Sequence, residues 1–240
     1  MVIEYSAATS CRKIRTENQD RLFADGKISP KNASEYSCCG VAVSEPSTFA
    51  VFDGMGGERC GAKAAELAVK SLAEEESSDE TSRLTELCMT TNGTICEYMQ
   101  TNRISAMGTT AAILRFCENS AEICNIGDSR IFLFDNGRAE QLSVDHTEIF
   151  GRMRPRRLLT QHLGIPEEEM MIEPYETRIE TKKGEKFILC SDGLTDMVNE
   201  NIIQKITQTC PIKEAGKALV DEALKNGGKD NVTVIACEVK

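Results

Sequence analysis

The sequence predicts an α+β fold, a four-layer α-β-β-α sandwich of two antiparallel sheets flanked by helix pairs. Three observations predict it. Short strand patterns dominate the 240 residues. Helical periodicity comes in consecutive pairs, not as one helix after each strand, which argues against βαβ units. Asp135-Asn136-Gly137 between two strand patterns is a hairpin signal, because Asn and Gly tolerate positive φ.

The strand patterns cover residues 21–24, 37–43, 48–52, 109–116, 121–126, 130–134, 139–142, 175–179, 186–190 and 232–239. The first helical block spans 60–73 and 79–102, where Leu84, Leu87, Cys88, Thr91, Ile95, Tyr98 and Met99 recur at helical spacing. The second spans 199–209 and 212–226, is broken at Pro211 and ends at Gly227-Gly228. The polar stretch 74–82 reads as a helix end, a loop and a new N-cap. No repeat or linker divides the chain, so 1–240 is expected to be a single domain.

The net charge is −10, which disfavours nucleic acid as a partner, since phosphate backbones need clustered Lys and Arg. That acidity suits either solubility alone or the binding of divalent cations. The eleven cysteines are odd in number, form no C-x-x-C and sit partly inside apolar runs, as small buried hydrophobes do. With only two histidines, a zinc site is not expected. Reduced thiols imply a cytoplasmic protein. No signal peptide or membrane span is apparent.

Several aspartates flank apolar strand patterns. Asp53-Gly54 follows Thr48-Phe49-Ala50-Val51-Phe52, and Ser191-Asp192-Gly193 follows Lys186-Phe187-Ile188-Leu189-Cys190. Asp128 follows Ile123-Cys124-Asn125-Ile126-Gly127, Asp230-Asn231 precedes Val232, and Asp20 precedes Arg21-Leu22-Phe23. Asp-Gly and Asp-Asn are also ordinary turn residues. If these five carboxylates meet at one end of the sandwich, they cannot all stay ionised without a cation. Oxygen ligands with few histidines point to Mg²⁺ or Mn²⁺. Gly54-Met55-Gly56-Gly57-Glu58-Arg59 is not a dinucleotide-binding turn, because the third glycine of that fingerprint would fall at Arg59.

Six segments carry a resemblance: Arg15-Thr16-Glu17-Asn18-Gln19-Asp20-Arg21, Phe52-Asp53-Gly54-Met55-Gly56-Gly57, Met107-Gly108-Thr109-Thr110-Ala111, Asn125-Ile126-Gly127-Asp128-Ser129-Arg130, Ser191-Asp192-Gly193-Leu194 and Asp230-Asn231-Val232-Thr233. In this order, over essentially the whole chain, they resemble the PPM family of type-2C metal-dependent serine/threonine protein phosphatases, and Met55 with the compact length resembles its bacterial branch. The resemblance implies that Asp53 bridges two Mn²⁺ or Mg²⁺ ions and that the Gly54 carbonyl binds the second. Asp192 and Asp230 complete the first site, and Asp20 acts through metal-bound water. Asp128 with Asp192 resembles the pair that holds a third, weaker ion. Arg15 grips the substrate phosphate, for which a guanidinium fork is suited. The implied reaction is attack on phosphoserine or phosphothreonine phosphorus by a metal-bridging hydroxide, with no covalent intermediate.

The expected substrates are phosphoproteins, a serine/threonine kinase among them, and the expected state is a monomer without membrane attachment. Arg12, Glu58 and Ala62 depart from the family pattern beside the site. His146 reads as a capped structural histidine. The stretch 147–157 stands where the flap over the cleft is expected, and Arg152, Arg154, Arg156 and Arg157 make it either a basic loop that docks phosphopeptides or acidic segments or an ordinary solvated loop. The alternatives are a non-catalytic regulator on the same fold and a hydrolase of small phosphate esters.

Overall fold

Apolar side chains on both faces of strands such as Ser47–Phe52, Lys186–Cys190 and Val232–Val239, not on one face alone, decide the architecture. A strand apolar on both faces must be covered on both. A computed structural model describes residues 1–11, 15–78, 82–151 and 156–240, with the backbone alone at 57–59 and 156.

The chain begins with β1 (Ile3–Ser10), β2 (Arg21–Ala24), β3 (Lys27–Ile28), β4 (Glu35–Ala42), β5 (Ser47–Phe52) and β6 (Gly54–Met55). The helices α1 (Gly57–Glu76) and α2 (Leu84–Asn102) follow. The middle holds β7 (Gly108–Thr109), β8 (Ala111–Cys117), β9 (Ser120–Ile126), β10 (Arg130–Asp135), β11 (Arg138–Gln141), β12 (Thr147–Phe150) and β13 (Arg156–Leu159). Last come β14 (Tyr175–Glu180), β15 (Lys186–Cys190), α3 (Asp192–Thr195), α4 (Glu200–Thr209), α5 (Ile212–Lys225) and β16 (Val232–Val239).

Two six-stranded antiparallel sheets result, ordered β11-β10-β15-β16-β1-β4 and β14-β9-β8-β5-β2-β3. Three apolar layers separate four layers of structure. In β5, Phe49 and Val51 point between the sheets, whereas Ala50 and Phe52 pack under α1 and α2. In β16, Ile235 and Cys237 point between the sheets, whereas Val232, Val234 and Ala236 pack under α3 to α5. An edge-to-face series of Tyr5, Phe49, Phe116 and Phe187, with centroids 5.1, 5.9 and 5.2 Å apart, crosses the gap between the sheets. Each such pair contributes about 0.5–1.5 kcal/mol beyond its area. The expected four-layer sandwich is therefore the observed one. All eleven cysteines are free.

Local differences have physical causes. No strand is expected before residue 21, yet β1 lies at the centre of its sheet, paired with β16 and β4. Its Ser6, Thr9 and Ser10 are buried, and such polar residues hide the pattern. The run 109–116 is split at Thr110, because Gly108–Thr109 turns away to pair with Gly54–Met55. The second helix begins at Leu84; of its expected start, residues 79–81 lie outside the described residues. Asn136 and Gly137 adopt φ of 46° and 79°, as the hairpin turn requires. Asn199 caps α4 by accepting the Ile202 N–H. Among the described residues no helix is long and apolar enough to cross a membrane.

Candidate active site

One end of the sandwich carries an acidic cleft of about 450 Å³, and its lining includes Arg15, Asp53, Gly54, Asp128, Asp192 and Asp230. These residues come from separate parts of the chain and meet because sheet pairing places their strand ends side by side. Asp53 lies between β5 and β6, Asp192 opens α3 after β15, and Asp230 stands just before β16. Asp20, the remaining predicted carboxylate, is fully buried behind the cleft at the start of β2.

The Thr-Thr pair at the split of the 109–116 run fixes the Asp53 backbone. The Thr110 N–H and the Thr109 hydroxyl both donate to the Asp53 carbonyl at 2.9 Å, and the Asp53 N–H donates to Thr110 Oγ1 at 3.0 Å. The Thr110 and Ser129 hydroxyls share a hydrogen bond at 2.7 Å. Behind Gly54, a Cβ would fall 2.2 Å from the Gly61 carbonyl oxygen and 2.7 Å from that of Gln19. Glycine there lets the first turn of α1 and the loop before β2 close on the site.

Asp20 is held by a directed series of donors. Asn18 Nδ2 donates to Thr9 Oγ1 at 2.8 Å. Thr9 therefore donates to Thr233 Oγ1 at 2.7 Å, leaving the Thr233 proton for Asp20 Oδ2 at 2.6 Å. Ser191 Oγ accepts the Thr233 N–H at 3.0 Å and donates to the same Oδ2 at 2.9 Å. Asp20 Oδ1 is buried and accepts no hydrogen bond from a described residue. A carboxylate with one oxygen doubly satisfied and the other bare is costly unless a cation or a shared proton serves it. Asn231 locks the neighbouring segments by accepting the Gln19 N–H at 2.9 Å and donating to the Glu17 carbonyl at 3.0 Å.

The electrostatics are those of unneutralised carboxylates. Burial first, and Asp230 after it, push Asp20 up to about 6 despite the Thr233 and Ser191 donors. Burial, Asp128 and Asp196 push Asp192 up to about 7. Burial, Asp20 and Asp192 hold Asp53 well above the ordinary carboxylate range. Asp128 is raised mainly by burial, against the pull of Arg157. Among the described residues no three Asp, Glu, His or Cys side chains already close into a metal cage, although the carboxylates share one cleft. Like charges hold each other off, and Asp230 is engaged by Arg15 Nη2 at 2.6 Å. The donor set, carboxylates with a backbone carbonyl and a bare buried carboxylate oxygen, fits a hard divalent cation such as Mg²⁺ or Mn²⁺.

The raised acids give a signed expectation. Their folded-state pKa values exceed the ordinary 3.8, so in metal-free protein the stability they contribute is complete below that value. It is lost as the pH rises through about 6 to 7. Glu66, held down at about 2 by Lys31 and Lys70, is ionised throughout that window and does not oppose the trend. In EDTA the melting temperature is expected to fall from about pH 5.5 to about pH 8. Mn²⁺ is expected to raise it more at the higher pH, because protons compete for the ligands. Melting curves that stay flat with pH and ignore Mn²⁺ would remove the carboxylate cluster as a cation site.

His146 does not reach the cleft. Its Nδ1 accepts the Gly127 N–H at 3.2 Å, and its own N–H donates to the Gly127 carbonyl at 2.9 Å. It thereby fixes the turn before Asp128, which Gly127 takes at φ 100°. Within the stretch expected as a flap, β12 and β13 pair antiparallel. Arg152 and Arg154, the Arg156 side chain, Arg12 and the Glu58 side chain lie outside the described residues. Arg157 pairs with Asp196 at 3.2 Å and approaches Asp145 at 3.8 Å. That side chain is engaged by acids of this chain. The sequence missed Thr9, Asn18, Thr110, Ser191, Asn231 and Thr233 as positioning residues. Five of them stand inside the quoted motifs, and Ser191 and Asn231 are directly next to an aspartate, which was the available signal.

Comparison with known proteins gives one picture. Residues 37–226 match the family model described as Protein phosphatase 2C. The chain is 28% identical over 257 aligned residues to the serine/threonine protein phosphatase PstP of Mycobacterium tuberculosis, covering all of this chain and 45% of PstP. It therefore spans about half the length of that relative. It is 30% identical to the serine/threonine phosphatase stp of Listeria monocytogenes, covering 78% of this chain and 82% of stp. The crystal structure of Mycobacterium tuberculosis PstP superposes with a TM-score of 0.81 over the whole of both chains at 28% identity. The PstP catalytic domain in complex with two manganese ions superposes at 0.79, again at 28% identity, covering 100% of this chain and 99% of that one.

Proposed function

The chain belongs to the protein phosphatase 2C family, and from that premise we propose that it hydrolyses phosphoserine and phosphothreonine in proteins with two Mn²⁺ or Mg²⁺ ions. The observation that carries the reading is the single cleft that gathers Arg15, Asp53, Asp128, Asp192 and Asp230. The PstP catalytic domain holds two manganese ions, and the hard oxygen donors here suit the same metal. When bound, the ions supply Lewis acidity and an ionised water near neutral pH.

Each side chain then has a defined task. Asp53, the Gly54 carbonyl, Asp192 and Asp230 would hold the two ions, and Asp128 with Asp192 a third, weaker one. Asp20, rigidly held by Thr233 and Ser191, orients water through its bare oxygen. Arg15 now pairs with Asp230. Its guanidinium is half exposed at the cleft, so it can exchange that carboxylate for phosphate oxygens of similar geometry. The buried thiol of Cys190 is pushed up to about 12 by burial, which makes it a poor nucleophile and supports direct hydrolysis without a phosphoenzyme.

Phosphoprotein substrates, a partner kinase among them, a monomeric state and a cytoplasmic location complete the reading. Purified protein with Mn²⁺ is expected to hydrolyse p-nitrophenyl phosphate and phosphothreonine peptides, and EDTA is expected to stop both. Hydrolysis of the chromogenic ester alone would favour a small-ester hydrolase. Metal binding without turnover would favour a non-catalytic regulator.

A further inference from the structure

A second groove, about 570 Å³ and larger than the acidic cleft, runs between α2 and the segment 164–172. Its chemistry is the reverse of the cleft's. Met89, Met99, Ile104, Met170, Met171 and Ile172 make it apolar. Met89, Met170 and Met171 are exposed, Met171 at 64%, where a soluble surface seldom leaves adjacent large apolar side chains bare. Glu97, Glu167 and Glu168 rim it, and Cys96 at its wall is raised by burial and then by Glu168 and Glu169.

The groove is built. Asn92 of α2 accepts the Gly164 and Ile165 N–H groups at 2.7 and 3.1 Å and donates to the Ile165 carbonyl at 2.9 Å. That clamps the segment to the helix. Gly93 follows, where a Cβ would meet nothing within 4 Å, so the wall is left bare although glycine weakens a helix interior. The groove is also continuous with the cleft. A smaller cavity of about 180 Å³ shares Met55 and Gly56 with the cleft and Met99, Ser105 and Pro166 with the groove.

We infer that this groove is a docking site for a basic, amphipathic helical segment of the phosphoprotein substrate, remote from the phosphorylated residue. The inference rests on the phosphatase reading above. Methionine side chains adapt to varied apolar faces, and the glutamate rim selects Lys and Arg over acidic residues. The cleft's own carboxylates repel a phosphorylated chain, so a contact of opposite sign nearby raises its local concentration. Such uniform binding lowers KM and leaves kcat unchanged.

The test joins one phosphothreonine peptide, through a Gly/Ser linker, to an amphipathic segment of Leu, Phe, Lys and Arg. It is compared with the untailed peptide, with a tail carrying Glu for Lys and Arg, and with p-nitrophenyl phosphate. The basic tail is expected to lower KM about tenfold or more at constant kcat, and the acidic tail is expected not to. The labelled, unphosphorylated basic segment is expected to bind the full chain in EDTA, read by fluorescence anisotropy. Glu167→Lys, Glu168→Lys and Met171→Glu together, or Met171→Glu alone should the triple variant misfold, are expected to abolish both effects and leave p-nitrophenyl phosphate turnover unchanged. Turnover of every ester with no tail effect, or a tail effect that survives these substitutions, overturns the groove alone. Binding of the segment without turnover of any ester overturns the phosphatase reading and the substrate assignment with it.

Discussion

Asp53→Asn is expected to lower kcat/KM on the order of 10³-fold or more, about 4 kcal/mol of transition-state stabilisation, while making the metal-free protein more stable. The two effects have opposite signs for one reason. Asp53 sits among Asp20, Asp192, Asp128 and Asp230, whose charges, together with burial, hold its own acidity well below normal. An amide of the same shape removes that repulsion, so the melting temperature in EDTA rises, by about 2–4 °C for each kcal/mol relieved in a chain of this size. The same amide is a weaker ligand for a hard cation, so the Mn²⁺-dependent rise in melting temperature shrinks together with turnover. The Asp53 backbone is held by Thr109 and Thr110, not by its carboxylate, so the local fold survives. A variant within about tenfold of wild-type kcat/KM, or one that melts lower in EDTA and keeps its response to Mn²⁺, would remove Asp53 from the centre of the site.

That separation of side-chain task from backbone support explains how much of the molecule was legible. The sandwich was readable because strands such as Lys186–Cys190 and Val232–Val239 are apolar on both faces, and the helices come in pairs. The aspartates were readable because each stands at one end of an apolar run, Asp53, Asp128 and Asp192 after it and Asp20 and Asp230 before it. Residues that act through another residue were harder to see. Thr233, within a strand, reads as an ordinary β-former, and only the fold shows its hydroxyl donating to Asp20. Strand β1 escaped for a related reason. Its Ser6 and Thr9 look like solvent positions, yet Ser6 bonds the Ile212 carbonyl and Thr9 belongs to the Asp20 network. Polar residues satisfied by partners more than 200 positions away leave no local signature. The apolar groove was invisible for another reason. Met89, Met170 and Met171 belong to no common period and become neighbours only when the segment 164–172 lies along α2.

The second large effect separates close approach from backbone freedom. Gly193 does not have the positive φ that often explains a glycine, yet a Cβ there would lie 1.9 Å from the Asn231 carbonyl oxygen and 2.9 Å from its carbon. Both atoms are backbone, so no side chain can turn aside. In Gly193→Ala the first turn of α3 must move off the segment before β16, and that movement separates Asp192 from Asp230. Overpacking of this kind costs about 1–3 kcal/mol or more, which predicts a melting temperature lower by several degrees. Mn²⁺ binding and activity should be lost together, although no ligand has been changed. Gly93→Ala supplies the contrast within the same chain. Its Cβ meets nothing within 4 Å in the interior of α2, so the added methyl is expected to stabilise by about 0.5–1 kcal/mol through helix propensity. Thermal unfolding of the two variants beside wild type, with and without Mn²⁺, reads both signs. A Gly193→Ala protein that melts and turns over like wild type would mean that Asp192 and Asp230 are not held together by the contact of α3 with Asn231. It would leave the convergence of the two carboxylates without its structural cause.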